Sequence, residues 1–246
     1  MTLPRFYLPS GITLDTRQLS LKDEIHHALH VLRLKADDRI IVFDGKGHEA
    51  TATIHKTDKN DLYFSIDQMN NTLKNQPKII LACAIPKKTK FEWILEKSTE
   101  LGCDEIIPLI TDHMDHPKSI SGSDKKLSRY KSVILNACKQ SQRAFIPDLQ
   151  KPVSLKELIH SKHHVHAFKI VGSLPEPHEN ISTIIHQFKN EPSVILFIGP
   201  EGDFSQSEYA LLKDYGSHPL TLGNTILKVE TAAIAALSYI MLTLRS

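Results

Sequence analysis

No stretch of the 246-residue chain reaches the roughly 18 consecutive apolar residues that a membrane helix needs. The opening Met1-Thr2-Leu3-Pro4-Arg5-Phe6 also lacks the apolar run of a secretory signal, so a cytoplasmic, membrane-free protein is expected. Cysteine is scarce. Cys83, Cys103 and Cys138 are odd in number, far apart and without a C-x-x-C pair. That pattern fits reduced, buried thiols better than a disulfide framework. The dinucleotide fingerprint G-x-G-x-x-G, the P-loop G-x-x-x-x-G-K-[ST] and the nucleophile elbow G-x-S-x-G are all missing, which removes support for a Rossmann site, a P-loop and a serine hydrolase. Charge of one sign is lacking too. Thirty Lys and Arg stand against 28 Asp and Glu, for a net charge of +2, so the chain is no polycation.

The charge that is present is unevenly placed. Residues 1–70 carry nine basic and ten acidic side chains, residues 71–151 fourteen and nine, and residues 191–246 three and six. The middle is basic and the C-terminal part acidic. The runs Lys87-Lys88-Thr89-Lys90 and Lys125-Lys126-x-x-Arg129-x-Lys131 read either as solvated helix faces or as a phosphate-tracking surface. Of the fourteen histidines, His26 and His30 have the i,i+4 spacing of some zinc ligands. No cysteine or H-E-x-x-H pattern accompanies them, so no metal is expected.

Hydrophobic periodicity divides the chain. In residues 1–70 a helix is predicted over 21–32 with Leu21, Ile25, Leu29 and Leu32 on one side. Strands are predicted at 39–43, 48–56 and 61–68, punctuated by Asp44-Gly45-Lys46-Gly47 and Thr57-Asp58-Lys59-Asn60. A small closed or half-closed β-barrel is the economical architecture, because closure removes exposed strand edges. The polar stretch 71–77, ending in Pro77, reads as a linker. Residues 78–246 then alternate: strands at 78–83, 105–110, 165–168 and 193–198, helices at 88–101, 124–141, 181–188, about 206–215 and about 229–244. That rhythm predicts an α/β domain with a mostly parallel sheet. Ser205-x-x-Glu208 is a capping box, and Ile234, Leu237, Met241 and Leu244 form a stripe on the last helix.

Two loops stand out. Ile198-Gly199-Pro200-Glu201-Gly202-Asp203 runs from a buried strand into a capped helix, which is where α/β proteins place ligands. Leu222-Gly223-Asn224-Thr225-Ile226-Leu227-Lys228 is unusually apolar for a loop, so it must be packed under something or wrapped around an apolar ligand. Glu230, in the first turn of the helix that follows, suits the helix dipole.

The chain resembles the RsmE family of the SPOUT superfamily. The resemblance rests on Arg5-Phe-Tyr, on His27 with Val31-Leu32-Arg33, on Lys90-x-x-Trp93-Ile-Leu-Glu96-Lys97-x-x-Glu100-Leu-Gly102, and on Ala137-Cys-Lys-Gln140-Ser141-x-Arg143. It continues through Gly199-Pro-Glu-Gly202 and Leu222-Gly223-x-x-Ile226-Leu-Lys-x-Glu230-Thr231-Ala232. It implies a PUA-like β-barrel for RNA over 1–70 and a SPOUT α/β methyltransferase domain with a deep trefoil knot over 78–246. It further implies a homodimer through the knotted domain and S-adenosylmethionine-dependent methylation of uridine N3 in 16S rRNA of the small ribosomal subunit. By the same resemblance Leu196, Ile198, Gly199, Pro200, Glu201, Gly202, Leu222, Gly223, Ile226, Leu227 and Thr231 are expected at the cofactor. Lys228, Arg143 and Glu201 are expected in catalysis, and Arg5, Arg33, Lys87, Lys88, Lys90 and Arg143 at the RNA. A ribose 2′-O SPOUT methyltransferase and a catalytically silent rRNA-binding assembly factor are the alternatives. Three positions depart from the family pattern: Asp203 and Gln142 stand where glycine is usual, and Lys228 where arginine is.

Overall fold

The computed structural model describes residues 3–19, 21–58, 61–86, 90–114, 124–173, 179 and 181–245. The chain divides into two compact units: residues 1–74 with 138–146, and residues 75–137 with 147–246.

The first unit is a four-stranded sheet in the order β1 (Arg5–Tyr7), β2 (Arg39–Phe43), β3 (His48–Asp58), β4 (Asp61–Asn71). β1 runs parallel to β2, and the other pairs are antiparallel. The alternation expected from the sequence puts Ala50, Ala52 and Ile54 of β3 and Leu62 and Phe64 of β4 into one core with Phe6, Ile40 and Val42. The expected single helix over 21–32 is instead α1 (Lys22–His26) followed by one π-helical turn, His27–Val31. A π turn takes in extra residues, so the i, i+3, i+4 stripe breaks. Ile25 and Ala28 stay in the core, while Leu32 swings out to 40% exposure.

Segment 138–146 belongs to this unit because of the turn at Asp44-Gly45-Lys46-Gly47. The Asp44 carboxylate accepts from the backbone N–H of Lys46 (2.7 Å) and from the His48 ring (2.7 Å), and this fixes the turn. Gly45 and Gly47 have φ of 72° and 106°, and a Cβ at either would stand 2.5 Å from the Ile146 or Phe145 side chain. Bare backbone there lets the segment dock. Gly47 N–H donates to the Ala144 carbonyl (3.1 Å), Ile146 N–H to that of Gly45 (3.0 Å), and Lys139 pairs with the buried Glu24.

The second unit holds a parallel sheet in the order β11 (His218–Leu220), β9 (Phe168–Gly172), β10 (Ser193–Ile198), β5 (Lys78–Ala84), β6 (Glu105–Ile110), β7 (Asp148–Leu149), with β8 (Val153–Ser154) also on β6. β5 and β10 are buried almost throughout, as strands covered on both faces must be. α7 (Val229–Arg245) packs over β5 and β10, and α2 (Lys90–Leu101) packs against α7. α4 (Leu155–His160) and α6 (Gln206–Asp214) contribute Leu155, Leu158 and Leu212 to a cluster with Ile80, Ile107 and Phe197. α3 (Asp124–Gln140) and α5 (Ile181–Phe188) complete the set. The Ser205–Glu208 capping box forms as expected, and a second one, Ser154–Glu157, opens α4. The buried side of α7 is Ala233, Ala236, Leu237, Ile240 and Met241; of the stripe read from the sequence, Leu237 and Met241 are buried and Ile234 and Leu244 only half-buried.

One strand was expected at 165–168 and forms at 168–172 instead. Ala167 N–H bonds the His164 carbonyl in a turn, and the apolar Phe168-Lys-Ile-Val171 run supplies the strand. Among the described residues no helix is long and apolar enough to cross a membrane, and no three His, Cys, Asp or Glu converge as metal ligands.

At the amino ends of β5 and β6 the buried Glu105 meets Lys78 at 2.5 Å and His164 at 3.4 Å. Burial pushes its carboxyl upward, but the bonds from His164 and Lys78 outweigh that and bring it down to about 2. A depressed carboxylate stabilises the fold above its unfolded value and loses that contribution as pH falls through the folded one. Urea midpoints are therefore expected to fall between about pH 5 and pH 2, and Glu105→Gln to flatten that part of the profile.

Candidate functional site

The carboxyl ends of β9, β10 and β11 converge on an open cleft of about 690 Å³, measured out to its mouth. β5 feeds the chain one way across the sheet to β6, and β10 feeds it the other way, past β9, to β11. The cleft thus lies at the edge and beside the reversal where α/β folds bind ligands. Gly172 and Ser173 come from β9, Ile198, Gly199, Pro200, Glu201 and Asp203 from the end of β10, and Thr221–Gly223 from the end of β11. Thr225, Ile226, Leu227, Val229 and Ala232 close it from the loop and first turn of α7. Ile226 is 82% exposed at this rim, an apolar side chain with nothing over it. A ligand with an apolar face would cover it, while glycine backbone at 199 and 223 allows close approach.

Eight residues expected at a cofactor line this cleft: Ile198, Gly199, Pro200, Glu201, Leu222, Gly223, Ile226 and Leu227. Three do not. Leu196 is buried inside β10 between Leu81 and Ile170, Gly202 faces His113, and Thr231 points outward from α7. Gly172, Ser173, Thr221, Thr225, Val229, Ala232 and Asp203 were not foreseen as lining residues. The sequence places β9 at 165–168, short of Gly172 and Ser173, because its apolar signal begins before the turn at His164–Ala167 is complete. Asp203 had a visible signal, its departure from glycine.

Asp203 has φ of 62°, so it occupies the left-handed region where glycine is at ease, and Gln142 likewise has φ of 58°. Aspartate is among the few residues that tolerate this region. Its carboxylate accepts from the N–H of Phe204 (2.9 Å) and from the Tyr209 hydroxyl (2.8 and 3.0 Å). The ring of Tyr209 meets Phe204 edge-on at 5.7 Å.

Of the three residues expected in catalysis, Glu201 lines the cleft and Lys228 is exposed in the loop beside it, whereas Arg143 belongs to the first unit. Glu230 receives Lys90 at 3.1 Å, and its second oxygen, Oε2, is buried with no hydrogen-bond partner among the described residues. Burial drives the Glu230 carboxyl upward, but its own N–H, Lys90 and Lys228 together hold it below the usual carboxylate value. Cys83, at the end of β5, is pushed well up by burial and then by the charges of Glu201 and Glu230, so it stays a thiol and is no nucleophile.

The residues expected at RNA fare unequally. The Arg5 side chain is 5% exposed. It bonds Glu49 (3.1 Å) and the Arg143 carbonyl (3.1 Å) and lies over the Phe43 ring at 4.8 Å, so it is an internal strut with no face for a phosphate. Lys90 commits its ammonium to Glu230. Arg33 is exposed just past the π turn, with φ of 55°. Lys87 and Lys88 lie outside the described residues.

Because Asp203 combines a left-handed backbone with a bonded side chain, its replacements separate the two contributions. Asp203→Ala loses the bonds and keeps the strain, while Asp203→Gly loses the bonds and the strain together. Urea unfolding is expected to show Asp203→Ala less stable than Asp203→Gly by about 1–2 kcal/mol.

Residues 74–241 match the family model described as the RNA methyltransferase domain, and residues 22–67 the RNA methyltransferase PUA domain. The Ribosomal RNA small subunit methyltransferase E of Rickettsia conorii is 28% identical over 244 residues, 98% of this chain and 96% of that one. The protein of the same name from Bacillus subtilis is 28% identical over 89% of this chain and 87% of its own. A putative methyltransferase of Legionella pneumophila, solved with bound S-adenosylmethionine, superposes with a TM-score of 0.86 at 31% identity, covering 99% of this chain and 98% of that one. The Neisseria gonorrhoeae Ribosomal RNA small subunit methyltransferase E, also bound to S-adenosyl methionine, gives a TM-score of 0.86 at 28% identity over 98% of both chains. With its α/β unit and its smaller β unit each matched, the chain belongs to the RNA methyltransferase family, in the RsmE group of ribosomal small-subunit enzymes.

Proposed function

We propose that this protein transfers a methyl group from S-adenosylmethionine to N3 of a specific uridine in 16S rRNA, acting in the cytoplasm on the small ribosomal subunit. The observation that carries the reading is the cleft at the ends of β9, β10 and β11. Its glycine backbone, apolar walls and uncovered Ile226 suit a nucleoside with a thioether-like chain. Solved relatives of the same fold bind that cofactor. The cofactor supplies an activated methyl group on sulfur. The chain must align the acceptor nitrogen and favour its deprotonated form.

Uracil N3 is a poor nucleophile until it loses its proton. Alignment alone is worth roughly 7–11 kcal/mol of barrier. Lys228, exposed at the cleft's edge, supplies positive charge for the developing uracil anion. A lysine in the family's arginine position offers a point charge rather than a planar fork, which suffices for this role. Glu201 orients the loop on which it sits, and Arg143 and Arg33 contact RNA phosphate. The base must be single-stranded or flipped out to reach the cofactor.

The active form is a homodimer built through the second unit, whose chain carries the family's trefoil knot, a rare departure from simple connectivity. Large apolar side chains left in water on α2 and α7, namely Trp93, Tyr239 and Leu242, support that assembly.

Nucleoside mass spectrometry of 16S rRNA from a deletion strain tests the assignment. Loss of 3-methyluridine is expected, and loss of a ribose-methylated nucleoside instead overturns it. Calorimetry without detectable S-adenosylmethionine binding favours a silent assembly factor. Lys228→Ala is expected to slow single-turnover methylation about 100-fold or more with cofactor affinity retained, and Lys228→Arg to keep most of the rate.

A further inference from the structure

The 199–204 loop is gripped by Thr111–His113, a stretch that is not among the described residues lining the cleft. β6 ends at Ile110, and the chain continues through Thr111, Asp112 and His113. Nδ1 of His113 lies 3.0 Å from the Gly202 carbonyl oxygen and 2.9 Å from that of Asp203, so one N–H donates to two consecutive peptide groups. The imidazole sits close enough that a Cβ on Gly202 would stand 3.3 Å from the His113 Cβ. Beside it, the Asp112 carboxylate accepts from the hydroxyls of Ser205 (2.6 Å) and Ser207 (3.1 Å). The Asp112 N–H donates to Glu208 (3.0 Å), the residue that also caps Ser205.

These bonds act on the one strained residue of the loop. A left-handed residue other than glycine costs about 1–2 kcal/mol and persists only when its surroundings hold it. The two carbonyls that His113 holds belong to the peptides on either side of the Asp203 Cα–C bond. Tyr209 holds the same residue by its carboxylate. Glu201 and Asp203 line the cleft while Gly202 turns to His113, so the direction of these carbonyls decides what the loop presents inward.

We propose that His113 is a positioning residue for the cofactor cleft: by bonding the Gly202 and Asp203 carbonyls it keeps the 199–204 loop in its binding conformation, most firmly as an imidazolium. The proposal rests on the cleft being the S-adenosylmethionine site. Among the described residues the charged groups whose field reaches the ring are Glu208 on α6 and Asp112 on its own segment; the Asp203 carboxylate is turned to Phe204 and Tyr209. The Asp203 and Gly202 carbonyls, then the Glu208 and Asp112 charges, hold its pKa above the ordinary histidine value despite slight desolvation. A raised folded value means the contribution is complete below the unfolded pKa and fades as pH rises through the folded one.

Three readouts on the full-length enzyme test this. In the cofactor-free protein, His113→Ala is expected to speed amide hydrogen exchange at residues 199–205. It should also weaken S-adenosylmethionine binding about tenfold at pH 6, and by less at pH 8.5. In turnover, KM for the cofactor should rise more than kcat falls. His113→Asn, whose side-chain amide nitrogen stands near the place of Nδ1, should restore exchange protection and affinity but bind with no pH dependence from this site. Wild-type cofactor affinity in His113→Ala at both pH values, or no rescue by His113→Asn, overturns the proposal. Faster loop exchange in His113→Ala together with no cofactor binding by the wild type would instead support the clamp and refute the cofactor assignment of the cleft.

Discussion

Everything in the second unit hangs on the burial of β10 between β5 and β9. Val194 through Phe197 are fully enclosed, and each large apolar side chain so buried contributes roughly 1.5–3 kcal/mol. In-register parallel pairing from Ser193–Lys78 to Ile198–Cys83 fixes where the strand stops. At that edge the chain must leave the sheet, and it does so through glycine, proline and the capped start of α6. α7 has its own apolar side to bury over β5 and β10. The loop from β11 must therefore cross above the strand ends to reach it, and this crossing roofs the cleft. The core and the site are consequences of the same packing.

Part of the charge in this molecule is spent internally. Of the basic middle segment, Lys78 serves Glu105, Lys90 serves Glu230, Lys97 bridges Glu96 and Glu100, Arg129 binds Glu92 and Lys139 binds Glu24. The excess of positive charge over residues 71–151 therefore overstates what an RNA phosphate would meet. Lys125 and Lys131 remain exposed on α3, as Arg33 does in the first unit. Near the cleft the signs are opposed. Burial, seconded by the charges of Glu201 and Glu230, keeps Cys83 protonated, while its own N–H, Lys90 and Lys228 hold the Glu230 carboxyl low against burial. The Lys90–Glu230 pair also joins the first turns of α2 and α7, which pack against each other.

Features set by neighbours in the chain were legible in the sequence. The capping box at Ser205, the apolar β10 and the glycine turn at 44–47 all form where local chemistry puts them. Features set by distant contacts were not. The π turn at 27–31 has no periodicity of its own, and it misled the reading of Leu32. Segment 138–146 joins the first unit through contacts with Gly45 and Gly47, about a hundred residues earlier. In the site, the loops at 199–203 and 222–227 announced themselves by composition. His113 did not, because its role depends on reaching two carbonyls some ninety residues away.

The departures from the family pattern gain meaning from backbone angles. Asp203 and Gln142, at the two positions where the resemblance leads one to expect glycine, have φ near 60°. A glycine there would enter the left-handed region freely but would also leave it freely. Aspartate enters with some strain and is then fastened by its own carboxylate to Phe204 and Tyr209. A loop fastened in this way has fewer conformations to surrender when a ligand binds, which lowers the entropic cost of binding. The substitution thus exchanges the flexibility of glycine for a side-chain anchor at the rim of the cleft. That anchor requires Tyr209 on α6, and α6 takes its position from the same buried strand, β10, on which the whole unit is built.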